Sequence, residues 1–153
     1  MKGIGSRTQA RSEAGFSLIE LLVVILILGI LTAVAIPLFL GQKGKATDAS
    51  AKEVARTGAQ AAETYATDHG GEYAGIEPSV LREYEHVLQI APGGNSAYLS
   101  VAEPKSSGKG YVVTAKSTNG DSFTYTKKED GSVIRSCEVP AGGGANGCTA
   151  GSW

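Results

Sequence analysis

Residues 15–40 read GFSLIELLVVILILGILTAVAIPLFL, and this stretch decides how the 153-residue chain is organised. Between positions 16 and 40 the only residues that are not apolar, Gly or Pro are Ser17, Glu20 and Thr32. About 20 apolar residues span a bilayer as a helix, so the run is long enough. Two residues do not suit a plain anchor. Glu20 puts a carboxylate inside the apolar run, where it costs about 2.5–3.5 kcal/mol at the bilayer centre and less towards the edge. Pro37 removes a backbone donor from a helix that the following sequence would otherwise continue, which favours a kink.

Outward from this segment the composition changes on both sides. Residues 1–15 carry Lys2, Arg7 and Arg11 against Glu13, a net +2, leaving 11 basic and 14 acidic residues for the remainder. Positive charge just before an apolar run keeps that end in the cytoplasm, so the chain beyond Leu40 is expected outside. Cys137 and Cys148 fit that address. Gly142-Gly143-Gly144 and Asn146-Gly147 between them are flexible enough to bring the thiols together, and an exported chain meets oxidising conditions. A loop this short gains roughly 3 kcal/mol on closure. The competing readings are two free thiols or half a zinc site. Zinc needs further ligands, and the only histidines, His69 and His86, stand isolated in polar stretches.

The string Gly15-Phe16-Ser17-Leu18-Ile19-Glu20, behind a short basic leader and ahead of the apolar run, resembles the processing site of type IV prepilins. The likeness is strongest over residues 11–40 and only architectural beyond. It implies that a membrane-embedded prepilin peptidase/N-methyltransferase cuts after Gly15 and methylates the new terminus at Phe16. Glu20 then becomes the fifth residue of the mature chain, and Pro37 matches the proline at which such helices bend or melt. The implied partners are identical or related pilin subunits in a helical filament, an inner-membrane assembly platform, and membrane lipid before assembly. The implied precursor is a single-pass protein of the cytoplasmic membrane with its N-terminus inside, and the assembled product is an extracellular pilus. The likeness to pseudopilins of type II secretion is equally good as far as Leu40. The globular part lacks an Asp-Pro-Trp-Gly-like motif and an acidic calcium loop, which leans the reading towards a pilus.

An independent physical reason exists for the arrangement. Cutting after Gly15 creates an α-amino group, positive at neutral pH, and Glu20 is a carboxylate in an apolar setting that needs a partner. The Phe16 amine of one subunit is therefore expected to neutralise Glu20 of its neighbour, so that cleavage gates assembly. Two plainer readings compete. Glu20 lies within two helical turns of the segment start and could snorkel to the interface. Residues 1–35 could be a secretory signal, because Ala33-Val34-Ala35 resembles a small-residue cleavage site. Against the second stand the glutamate, the long polar leader and the apolar continuation to Leu40.

Beyond Gly41 and Gly44, which mark a soft junction, Ala51, Val54, Ala55, Gly58, Ala61, Ala62 and Tyr65 recur at three- and four-residue steps. They form a narrow face of small side chains, suited to close packing on a sheet, and His69-Gly70-Gly71 ends it. Joined to the apolar run, this makes one helix of about 50 residues, roughly 80 Å if straight. A short helix is expected over 78–84, opened by Pro78, with strands over 87–91 and 97–102. Residues 111–117 and 121–127 are rich in Val, Thr, Phe and Tyr. Asn119-Gly120 between them signals a hairpin whose two central residues take positive φ. Asp130-Gly131 leads into a last strand over 132–137. The expected class is α+β: a long N-terminal helix, half transmembrane and half amphipathic, on three or four antiparallel strands, which is also the pilin fold the resemblance implies. The expected divisions are a leader (1–15), a transmembrane and polymerisation helix (16–40), its amphipathic continuation (41–70), and a connecting region, sheet and C-terminal disulfide loop (71–153).

Other chemistry finds little support. The sequence holds no glycine-rich phosphate loop, no Gly-x-Ser-x-Gly elbow and no His/Glu pair at metal spacing, so no catalytic residue, metal or cofactor is assigned. Glu129-Asp130-Gly131 reads as a solvated turn, with calcium as its sharper alternative. Residues 104–128 carry a net +4 and residues 41–103 a net −4. That asymmetry suits complementarity between subunits or, more sharply, a basic surface for DNA or anionic substrata. A membrane-tethered module that never polymerises is the remaining rival, and it would gain nothing from Glu20.

Overall fold

The computed structural model describes residues 15–94, 96–141 and 147–153, with the backbone alone at Leu40. The basic leader through residue 14, the Gly142-Gly143-Gly144 tract and Asn146 lie outside the described residues. The elements in chain order are α1 (Leu18–Asp68), α2 (Pro78–Tyr84), β1 (Tyr98–Pro104), β2 (Tyr111–Lys116), β3 (Ser122–Lys127) and β4 (Val133–Glu138). The fold is α+β, a long helix packed on a four-stranded antiparallel sheet of order β1-β2-β3-β4. The chain divides after Leu38 into two units.

In the second unit the face of small residues on α1 is buried, with Ala51, Ala55 and Ala62 fully enclosed. Alanine and glycine there let the helix backbone come close to the sheet. A Cβ on Gly58 would stand 2.9 Å from Leu99 Cδ1 and 3.4 Å from Val113 Cγ1. The sheet answers with its larger side chains: Leu99 on β1, Tyr111 and Val113 on β2 and Phe123 on β3 are all buried. Two clusters result. One gathers Tyr65, Tyr73, Ile76, Leu81, Leu88 and Tyr111 with the later alanines of α1. The other centres on Phe123 with Ala51, Ala55, Ala97 and Ala115.

Alternation sets the inward faces of the strands, and one irregularity adjusts it. Tyr111, Val113 and Ala115 of β2 point inward with the period of two that a half-buried strand requires. On β1 the buried residues are Leu99 and Ala102, three apart, because a bulge lies between Leu99 and Val101. On the opposite face Thr114 and Thr124 pair through their hydroxyls at 2.9 Å. Helix α1 ends where His69-Gly70-Gly71 was expected to end it, with Gly70 at φ 67° and the Gly71 N–H donating to Ala66 O at 2.7 Å.

Two sequence expectations need correction. Residues 87–91 form no strand. Their alternation is correct, with Val87 exposed and Leu88 buried. A strand also needs a neighbour, however, and Leu99 N–H to Gln89 O is the one backbone bond joining this run to β1 among the described residues. Pro92-Gly93-Gly94 then carries the chain away. The Asn119-Gly120 hairpin is real, but its loop has three residues. Gly120 N–H donates to Ser117 O at 3.0 Å and Ser117 N–H to Asp121 O at 2.8 Å. Only Gly120 takes positive φ, at 90°, and Asn119 does not. This is the turn-plus-bulge connection, which asks for glycine only at its last position.

Candidate functional site

The residues singled out for processing and assembly lie at the start of α1. Gly15, Phe16 and Ser17 precede the helix, and Leu21 N–H donates to Ser17 O at 3.2 Å, which makes Ser17 the N-cap position. Phe16 is 82% exposed. Glu20 occupies the first helical turn, where the helix dipole favours a negative charge. Phe16 and Glu20 are therefore both accessible and four positions apart.

From Leu18 to Phe39 every large apolar side chain is exposed, on all sides of the helix, with values from 45% at Val24 to 79% at Leu18. The most apolar 18-residue window has a mean hydropathy of 3.0, and among the described residues this helix is the one long and apolar enough to cross a membrane. A helix apolar all round does not remain in water; lipid or other protein must cover it. Thr32, its one polar residue beyond Glu20, turns its hydroxyl back to Leu28 O and Gly29 O at 2.9 and 3.0 Å. That bond satisfies the hydroxyl within the helix itself. Pro37 lies inside α1, where it leaves the carbonyl four residues earlier, at Ala33, without its usual donor.

Cys137 on β4 and Cys148 are joined as a disulfide with their Cα atoms 5.7 Å apart. The tail after it returns to β4, with Cys137 N–H donating to Gly151 O at 2.9 Å and Ser152 bridging to Ser136. Trp153 packs edge-on against Phe123 and donates its indole N–H to Thr124 O at 3.3 Å. An open cleft of about 470 Å³ lies between α1 and the sheet, lined by Arg56, Gln60, Glu63, Tyr111, Tyr125 and Arg135. Its carboxylate is already engaged. Glu63 accepts from Lys127 Nζ at 2.8 Å, Tyr73 Oη at 2.8 Å and Tyr111 Oη at 3.1 Å. Burial alone would raise the Glu63 pKa, but these three donors hold it below the ordinary carboxylate range. Burial opposes the charge on Lys127 as well, and the bonds to Glu63 and Tyr73 nonetheless raise its pKa. Burial first, and Glu63 next, drive the Tyr111 hydroxyl far above its usual range, so it stays a donor.

Sequence reasoning missed the Glu63–Lys127 pair. Its partners are 64 positions apart, and only the sheet brings them together. Lys127 belongs to the basic stretch 104–128, and its charge is paired with Glu63 at a partly solvated position. The turn at Glu129-Asp130-Gly131 is a local structure: Asp130 Oδ1 accepts from Ser132 N–H at 2.8 Å, and bonds from Ser132 lower the Asp130 pKa. Among the described residues no group of three or more His, Cys, Asp or Glu converges on a point.

Residues 10–36 match the family model of the prokaryotic N-terminal methylation motif. The match includes Gly15, Phe16 and Glu20 and stops one residue short of Pro37. No curated protein and no solved structure matches the chain. The motif supports a type IV pilin-like or pseudopilin precursor and points to a structural protein, and the apolar helix behind it fits a membrane-anchored one.

Proposed function

We propose that this chain is a structural subunit of a type IV pilus, cut after Gly15, methylated at Phe16 and assembled through its N-terminal helix. The observation that carries the reading is a single carboxylate, Glu20, four positions after Phe16 on a helix whose apolar surface is uncovered all round. Lipid covers that surface in the precursor, and the same segment of other copies covers it in the filament. Moving from lipid to protein leaves the apolar side chains nearly indifferent, so packing and polar pairing decide the exchange. The amine freed at Phe16 supplies the pairing charge for Glu20 of a neighbour, and the uncut chain has no such amine there. Pro37 gives the helix a weak point at which it bends or melts during packing.

The N-terminal mass of the mature protein, taken from its native cells, tests the processing step. A chain beginning at Phe16 and heavier by one methyl is expected; one beginning at Ile36 would make this a secreted domain and end the filament reading. Glu20→Ala should leave cleavage intact and remove the chain from shear-released fibres, and undiminished fibres would sink the pairing. If deleting the chain abolishes protein secretion and no fibres contain it, the function passes to a secretion pseudopilus.

A further inference from the structure

Asp48 and Asp121 are the two most deeply buried carboxylates among the described residues, 1% and 0% exposed. Asp48 lies on α1 and Asp121 just after the β2–β3 turn. Asp48 Oδ1 accepts from Asn119 Nδ2 at 3.2 Å, and the Ser117 hydroxyl lies within reach of the same carboxyl. Asp48 Oδ2 and both oxygens of Asp121 accept no hydrogen bond among the described residues. The same amide of Asn119 reaches Gly44 O at 3.4 Å, and Ser117 Oγ accepts from Asp121 N–H at 3.2 Å. The nearby cation on α1 is Lys52, whose Nζ stands 3.0 Å from the position a Cβ on Gly147 would take and 5.3 Å from the Phe123 ring centroid. The ion pair found among the described residues is Glu63–Lys127, so no basic side chain neutralises either aspartate within 4.0 Å.

Counting charge and lone pairs narrows what the pair can hold. Two ionised carboxylates out of water cost several kcal/mol each unless compensated. One shared proton would join one oxygen of each residue, leaving a net negative charge and an empty Asp121 oxygen. A divalent cation cancels both charges and takes all three free oxygens. The surrounding donors are carboxylate, amide, hydroxyl and main-chain oxygens, the set that a hard cation of calcium size accepts in irregular geometry.

We propose that Asp48 and Asp121 are ligands of a calcium-class divalent cation that ties the β2–β3 turn to α1. Gly147, next to Cys148, lies over the same place, because a Cβ on it would stand 3.0 Å from Asp48 Cβ. Helix, hairpin turn and disulfide loop thus meet at one ion. The inference does not depend on whether the chain polymerises.

The test uses the full chain purified in detergent, stripped with a chelator and titrated with Ca2+, following thermal unfolding. With Ca2+ a hundredfold above its Kd the midpoint should rise by roughly 10 °C. Terbium(III), a calcium-sized probe, should luminesce on excitation of the aromatic residues and be displaced by Ca2+. Asp48→Asn and Asp121→Asn should each abolish both responses while melting no lower than the stripped wild type, since each removes a buried charge. Wild-type melting indifferent to Ca2+, with no terbium signal, would overturn the site. Calcium responses that persist in both variants would place the ion elsewhere and equally refute the assignment.

Discussion

The two halves of α1 reverse the usual relation between side-chain size and burial. In the first half Leu, Ile, Val and Phe are exposed throughout, while in the second the enclosed residues are mainly alanines. Small side chains are buried where the sheet supplies the bulk and the helix must come close. Large ones are exposed where none of the described residues covers them. A stretch of helix can therefore be apolar for its own domain or for something outside the molecule, and the size of its residues tells which.

The largest effect that would sharpen this contrast is a pair of truncations. Phe123→Ala should destabilise the second unit by about 3–5 kcal/mol, read from denaturant unfolding, because Phe123 is fully enclosed between helix and sheet. Leu22→Ala should leave that transition unmoved, and a loss at Leu22 would show that the apolar half is part of the globular core after all. Next, replacing Cys137 and Cys148 by Ser should cost roughly 3 kcal/mol, because the bond closes a loop of sequence separation 11. The same denaturation curves measure it.

A glycine pair puts the comparison on equal chemistry. Gly58→Val should cost about 1–3 kcal/mol by overpacking against Leu99 and Val113. A Cβ at Gly29 meets nothing within 4 Å, so Gly29→Val should leave unfolding of the second unit unchanged. The smallest effect concerns Glu63 and Lys127. The Glu63 pKa is lowered in the folded chain, so its contribution is present above the unfolded value of 4.5 and fades as pH falls through the folded one. The Lys127 pKa is raised, so its contribution holds below 10.5 and fades as pH rises through the folded value. Both groups are partly solvated, so Lys127→Met should cost no more than about 1 kcal/mol. It should also flatten the acid limb of a melting-temperature profile.

The legible parts of the molecule are those written locally. The apolar run with its misplaced Glu20, the buried stripe from Ala51 to Tyr65, the glycine stop after Asp68 and the opening proline of α2 each declare themselves within a few residues. The hairpins at Gly120 and Gly131 do so as well. Residues 87–91 failed because alternation describes a face and says nothing of an available neighbour. Glu63 with Lys127, and Asp48 with Asp121, were invisible for a related reason. Each partner has an ordinary acidic or basic setting in sequence, and only the docking of α1 on the sheet makes it unusual. The motif residues Gly15, Phe16 and Glu20 were legible because they lie within one short contiguous stretch.

The sheet order β1-β2-β3-β4 also bears on the timing of folding. Each strand pairs with the one before it through a short turn, so the meander closes small loops and its contacts are nearly all local. Docking this meander on alanines that precede it by tens of residues closes a longer loop and carries the larger entropic cost. Cys148 comes near the end of that sequence, and Cys137 is on the last strand. The disulfide thus ties the last strand to the segment just after it, and the expected role of oxidation is to lock an arrangement that the strand order already favours.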